Sequence, residues 1–144
     1  RYGGAITIEI ATISDESLCD CLIPSFSLQP LAENAIFHGI EAKGGVGSIW
    51  LHIQQQSNGD VLIAMQDDGI GMSAQAIDAV FTQGDDGDEP GYRQIGIRNV
   101  HRRIQYAFGA EYGLSISSKE GEFTRVELCI PSIVSDCGTE QEEP

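Results

Sequence analysis

The stretch VGSIWLHIQQQSNGDVLIAMQDDGIG, residues 46–71, carries more structural information than any other in the chain. Polar and apolar residues alternate through 46–56 and again through 61–67, the pattern of two half-buried strands. Asn58-Gly59 lies between them, and Asn-Gly in that place is the strongest short-range hairpin signal. Two strands joined so closely must run antiparallel. Beyond Met65 the second strand runs out into Asp67-Asp68-Gly69-Ile70-Gly71. Glycines at such a point let backbone approach a flat ligand without side-chain obstruction. An aspartate at the strand end can accept a hydrogen bond from an exocyclic amine. Taken alone, the same five residues also make an ordinary Asp-Gly turn.

On the N-terminal side, residues 5–10 (Ala-Ile-Thr-Ile-Glu-Ile) alternate like a half-buried strand. Ser14-Asp15-Glu16 punctuates, and Pro24 offers a helix start. Leu28, Leu31, Ala32, Ala35 and Ile36 then form a helical stripe, with Pro30 fixing a start or kink near itself and Gly39 placed to stop the helix. On the C-terminal side, Ser73 can cap a short helix that turns Ile77, Val80 and Phe81 inward. Residues 82–94, rich in Gly and Asp, read as a mobile loop. A second long helix aligns Ile97, Val100, Ile104 and Phe108. Strands near 112–118 and 123–130 close the domain at Pro131, leaving residues 132–144 as an acidic, disordered tail. The order β-α-β-β-(α)-loop-α-β-β predicts an α+β fold, a mostly antiparallel sheet with helices packed on one face.

Bulk properties narrow the function. The 144 residues suit one domain, and an apolar content of 41% excludes a fully disordered chain. No apolar run approaches the roughly 20 residues a membrane helix needs, and the N-terminus lacks a signal-peptide layout. A net charge of −14 repels nucleic-acid phosphates, so direct nucleic-acid binding is not expected. The same field repels a nucleotide triphosphate unless a metal ion and local basic groups offset it. Cys19, Cys21, Cys129 and Cys137 lack zinc-site spacing and read as free cytosolic thiols.

Two further stretches bear chemistry. In Gln29-Pro30-Leu31-Ala32-Glu33-Asn34-Ala35, Asn34 shares a helical face with His38 beside the apolar stripe. A neutral amide oxygen suits magnesium, which keeps several waters and takes few protein ligands. A solvent-facing polar pair would look the same in isolation. The run from Arg93 to Arg103 holds half of the chain's eight basic residues. Gly96 opens its helix, whose free N–H groups and positive dipole end favour an anion. A solvated basic face is the competing reading.

Taken together and in order, these motifs resemble the ATPase domain of two-component histidine kinases, part of the wider group shared with gyrase, Hsp90 and MutL. The nearest subgroup looks like the LytS-type, or autolysin-sensor, kinases. Its "QP-L-x-EN-A-x-x-HG-I" is matched by Gln29 through Ile40, its "D-x-G-x-G" by Asp67 to Gly71, and its "IG-x-x-NV-x-x-R" by Ile95 to Arg103. Gly121, Thr124, Val126 and Ile130-Pro131 match the terminal "G-x-x-T-x-V…IP". The resemblance covers residues 1–131 and implies a Bergerat-type (GHKL) two-layer α/β sandwich. It implies that Asn34 holds the Mg2+ bridging the ATP phosphates and that Asp67 accepts the adenine amino hydrogen, with Thr124 helping through a water. Gly69 and Gly71 would line the base, with His38 in the nucleotide motif. Residues 82–95 would form a lid, and Gly96, Ile97 and Arg98 would meet the phosphates.

Glu33 is the candidate catalytic residue. Gyrase-like relatives place a water-activating glutamate one turn before the metal asparagine; that position is Pro30 here, so Glu33 is assigned to orienting or polarising an incoming histidine. Phe37, Gln94 and Phe123 replace residues typical of the family and predict weaker nucleotide affinity. The resemblance also implies partners: a phosphoacceptor histidine in an upstream dimerisation segment, a response regulator aspartate, and a membrane-anchored bacterial sensor whose cytoplasmic part this domain would be. His38, His52 and His101 do not fit as acceptors. Two alternatives stay open, a gyrase- or MutL-like ATPase switch and a nucleotide-binding module without turnover.

Overall fold

The computed structural model describes residues 6–13, 27–82 and 94–132. Strand β1 spans Ile6–Ile13, helix α1 Leu28–Glu33, β2 Gly47–Gln55, β3 Val61–Asp67, helix α2 Ala74–Thr82, helix α3 Gln94–Phe108, β4 Gly113–Lys119 and β5 Phe123–Ile130. The strands form one sheet in the order β1-β2-β3-β5-β4. β1 pairs with β2 in parallel, a pairing that needs a long crossover such as the helical segment between them, and every other pairing is antiparallel. This is the mixed, mostly antiparallel sheet of a two-layer sandwich.

Alternation decides which face is covered. Val61, Ile63, Met65 and Asp67 of β3 lie opposite Ile130, Leu128, Val126 and Thr124 of β5, and all eight are buried. Ile49 of β2 and Leu114 of β4 extend the same face. Leu31 and Ala35 from the first helical segment, Val80 from α2, and Ile97, Val100 and Ile104 from α3 complete this single core. Apolar burial of these branched side chains supplies the stabilisation, at roughly 1.5–3 kcal/mol for each large one. The opposite face carries Gln66, Arg125 and Glu127 and is only partly covered.

The β2–β3 turn has the expected Asn58-Gly59, with Gly59 at φ 91°. Gln56 and Asp60 close it by a 2.7 Å backbone hydrogen bond, and the Asn58 carboxamide oxygen accepts from the Asp60 N–H at 3.0 Å. Three residues therefore loop, the third being the left-handed glycine such loops require.

Gly39 does not stop the first helix. Past Glu33 the helix widens into a π-helical stretch, Asn34–Ile40, and tightens into a 3₁₀ turn, Glu41–Lys43. It ends at Gly44, which takes the left-handed conformation at φ 114°. Pro30 sits in the first turn, where its missing N–H costs nothing. The mobile-loop reading of 82–94 is also narrower than stated: Thr82 belongs to α2 and Gln94 to α3, while the remainder lies outside the described residues. Edge strand β1 is longer than its alternation suggested, and it is less buried. Ile6 touches the core, but Ile8 and Ile10 are 63% and 66% exposed, so among the described side chains of β1 the core is met at Ile6 alone. Cys129 carries a free thiol; the other cysteines and residues 133–144 of the acidic tail lie outside the described residues. Among the described residues, no helix is long and apolar enough to cross a membrane.

Candidate functional site

β3 ends beneath the π-helical stretch, and two glycines make that approach possible. A Cβ on Gly39 would lie 2.3 Å from Asp67 Oδ1, and one on Gly69 would lie 2.2 Å from the Gly39 carbonyl carbon. Both distances are far inside van der Waals contact, so the helix and the strand end are held together backbone on backbone. The Ile70 N–H donates to the Gly39 carbonyl at 3.1 Å and fixes the pairing. Gly39 is therefore a wall of the site, a role that its reading as a helix stop missed.

Asp67 is 2% exposed. Its Oδ1 accepts the Gly69 N–H at 2.8 Å. Burial pushes its carboxyl up to about 6 from the ordinary 3.8; the Gly69 bond and Lys43 oppose that rise, and neighbouring Asp68 adds to it. An acid held this way is poised to accept a hydrogen bond from a ligand that brings a donor.

Asp68 turns outward and acts as a brace. Its backbone N–H donates to the Ser48 carbonyl at 3.2 Å, and its Oδ1 accepts the Ser48 N–H at 2.8 Å. The Lys43 ammonium donates to the Asp68 carbonyl at 2.6 Å and lies 3.5 Å from its carboxylate. Downstream, Gly71 takes φ 73° with the Lys119 carbonyl so close that a Cβ would lie 2.1 Å from it. The Gly121 N–H donates to the Ile70 carbonyl at 2.6 Å. The β4–β5 turn thus clamps the Asp67–Gly71 loop from the other side. Ser73 then caps α2, its hydroxyl accepting the Ala76 N–H at 3.1 Å.

Between these parts lies a cavity of about 280 Å³, lined by Asn34, His38, Gly39, Ile70, Gly71, Met72, Ser73, Ala76, Glu120 and Thr124. Four residues singled out from the sequence, Asn34, His38, Gly71 and Thr124, meet in its walls. Asn34 and Thr124 are 4% and 3% exposed, so their polar groups are directed by packing. Asp67 and Gly69 stand directly behind the Gly39 wall, with Asp67 paired to Thr124 across β3 and β5.

The remaining candidates lie elsewhere. Glu33 is exposed, and its Oε1 accepts from the Gln29 amide at 2.9 Å. Gly96 packs on Pro30, where an added Cβ would come within 3.3 Å, and Ile97 is core. Arg98 is 5% exposed and donates from Nε to the Val80 carbonyl at 2.8 Å, which ties α3 to the end of α2. Its side chain braces that contact, and the resemblance assigns the same residue to the phosphates. Met72, Ala76, Glu120, Ser118 and Lys43 carry no sequence signal of their own, and Ser73 signals only a helix cap. Only their position one loop or one hairpin from the Asp67 motif could have pointed to them.

Known proteins share this sequence pattern and this fold. Residues 25–133 match the family model described as histidine kinase-, DNA gyrase B-, and HSP90-like ATPase. The sensor histidine kinase YpdA of Escherichia coli K12 is 36% identical over 132 residues, 92% of this chain and 21% of YpdA. YesM of Bacillus subtilis 168, also a sensor histidine kinase, is 35% identical over 117 residues, 81% of this chain and 18% of YesM. The chain therefore spans about a fifth of the length of these relatives. Among solved structures, the catalytic domain of histidine kinase ThkA superposes with a TM-score of 0.61 at 17% identity, covering 90% of this chain and 81% of that one. Full-length ShkA in complex with AMPPNP gives 0.62 at 14% identity, covering 92% of this chain and 26% of ShkA. Those two likenesses show the fold. With its matched region spanning most of the sequence, the chain belongs to the histidine kinase-, DNA gyrase B-, and HSP90-like ATPase family.

Proposed function

We propose that this domain binds Mg-ATP in the cavity and transfers the γ-phosphoryl group to a histidine of an upstream dimerisation segment, as a LytS-type sensor kinase would. The observation that carries the reading is the buried Asp67 carboxylate, held by Gly69 and paired with Thr124 directly behind the wall of a cavity that Thr124 and Asn34 line. An acceptor at that depth suits the exocyclic amine of adenine. The Asn34 amide, buried in the wall, offers a neutral hard oxygen of the kind magnesium takes alongside phosphate and water ligands. When bound, the ion would neutralise phosphate charge that this acidic chain cannot. Phosphoryl transfer asks a protein chiefly for positioning and charge compensation, which buried amides and glycine-built walls supply. The backbone start of α3, following residues 82–93, would meet the phosphates, while Arg98 holds α3 in place.

Glu33 discriminates kinase from hydrolase. It does not line the cavity and is engaged with Gln29, which disfavours water activation and supports the kinase over the gyrase-like switch. Relay would continue to a response regulator aspartate, with the parent protein a membrane-anchored homodimer.

The test is label transfer from γ-labelled ATP to the histidine-bearing dimerisation segment of the parent protein. Acid-labile, base-stable label on that segment, absent with Asn34→Ala, is the expected result. ATP binding without any label transfer would select the module without turnover, and steady hydrolysis lost in Glu33→Gln would select the switch.

A further inference from the structure

Ser118 of β4 lies outside the cavity walls, yet three elements of the site converge on its hydroxyl. The Met72 N–H donates to Ser118 Oγ at 2.7 Å, the Phe123 carbonyl lies 2.5 Å away, and Thr124 Oγ1 lies 3.0 Å away. A serine hydroxyl has one proton to give and two lone pairs to share. A carbonyl oxygen can only accept, so the Ser118 proton goes to Phe123. One lone pair takes the Met72 N–H. The second lone pair is then what remains for Thr124, and Thr124 must be the donor. With its proton spent on Ser118, Thr124 offers only lone pairs to the cavity that it lines.

We propose that Ser118 sets the polarity of the Thr124 hydroxyl and is a specificity-determining positioning residue for the nucleotide base. Resting on the Mg-ATP reading above, it makes Thr124 a fixed acceptor next to the Asp67 acceptor, its partner across β3 and β5. Two adjacent acceptors favour a base whose edge presents an exocyclic amine, directly or through a water that donates onward. They oppose a base with a keto oxygen in that place. Without Ser118, the Thr124 hydroxyl can rotate and donate to a keto oxygen, and part of the discrimination is lost. Ser118 acts through Thr124 and needs no contact with the ligand.

ATP and inosine triphosphate differ along the base edge, amine against keto at the six-position with the neighbouring N1 bare in adenine and carrying a hydrogen in hypoxanthine, and share ribose and phosphates. Affinities for both, with Mg2+, are to be measured on the whole chain and on Ser118→Ala, Ser118→Thr and Thr124→Val. The unmodified chain should prefer ATP. Ser118→Ala should shrink the ATP-to-inosine-triphosphate ratio by about fivefold, the scale of one hydrogen bond, and Ser118→Thr should restore it. Thr124→Val should shrink the ratio similarly, and the double variant should add nothing further. If Ser118→Ala weakens both nucleotides equally and leaves the ratio unchanged, Ser118 only holds the loop and the inference fails while the ATP reading stands. Should Ser118→Ala not fold, Thr124→Val decides: an unchanged ratio overturns the proposal. Binding of neither nucleotide by the unmodified chain overturns the ATP reading itself, and the inference with it.

Discussion

The strand end at Asp67 and the helix start at Gly96 looked alike in the sequence. Each joined glycine to charged residues at a boundary of secondary structure, and each was assigned to a ligand. In the fold they differ. At Asp67 the chain is drawn so tightly against Gly39 and the β4–β5 turn that no side chain fits between, and polar groups of the walls face a cavity. At α3 the same ingredients serve packing, with Gly96 against Pro30, Ile97 in the core and Arg98 bound to the Val80 carbonyl. A charged side chain that the fold already binds says less about a ligand than one left over, and at α3 it is the backbone start that keeps the proposed phosphate role.

The largest effect should come from Gly69→Ala. Its Cβ would enter the Gly39 backbone at 2.2–2.4 Å, and neither segment can yield without moving the whole helix. Destabilisation of about 3 kcal/mol or more is expected by chemical denaturation, with loss of nucleotide binding. A stable, binding-competent Gly69→Ala chain would break the view of this end as rigid.

Asp67→Asn should separate stability from binding. In the native state Asp67 keeps its proton up to about 6, against 3.8 for an ordinary aspartate carboxyl. Between those values the folded chain holds more protons than the unfolded one, so rising pH destabilises the fold. The cost is absent below about 3.8 and fully present above about 6, where it is on the order of 3 kcal/mol. The neutral asparagine escapes it and can still accept the Gly69 N–H. The variant should therefore melt higher at pH 7.5, and the advantage should fade towards pH 4. In the unmodified chain, ATP affinity should fall as pH drops below about 6, as Asp67 gains its proton. A pH-independent difference in melting would remove the charge explanation.

Arg98→Ala sharpens the contrast from the other side. Loss of a buried, charge-assisted hydrogen bond should cost roughly 1.5–3 kcal/mol of stability. Nucleotide affinity at a temperature where the variant stays folded should change less than about threefold. Affinity lost with stability intact would return Arg98 to the phosphates. The smallest effect belongs to Lys43→Ala. Its ammonium is partly exposed, so release of Asp68 should cost about 1 kcal/mol at most, and less in high salt.

Much of the fold was legible because strand alternation and Asn58-Gly59 are local signals. The strand pairs, the core stripe of α3 and the placing of Asn34 beside His38 follow from spacing along the chain. What local spacing hides is approach between distant segments. Gly39 reads as a helix stop until β3 passes beneath it, and the helix then needs the left-handed Gly44 to end. Alternation in β1 says which residues share a face but not whether anything covers them, hence the exposed Ile8 and Ile10. Arg98 and Arg102, four apart on α3, share one side of the helix, yet only Arg98 is buried, because α2 ends alongside it. Ser118 carries no motif at all, and its part depends on three hydrogen bonds that only the closed hairpin brings together.

The most direct measurement is a calorimetric titration of the whole chain with a non-hydrolysable ATP analogue and Mg2+ at pH 7.5, beside Asp67→Asn. Saturable binding by the unmodified chain, weakened at least thirtyfold in a well-folded Asp67→Asn, is the expected result, the scale of one lost hydrogen bond to a buried charge. Equal affinity in the two chains would show that Asp67 does not read the base, and the nucleotide site would have to be sought elsewhere on the molecule.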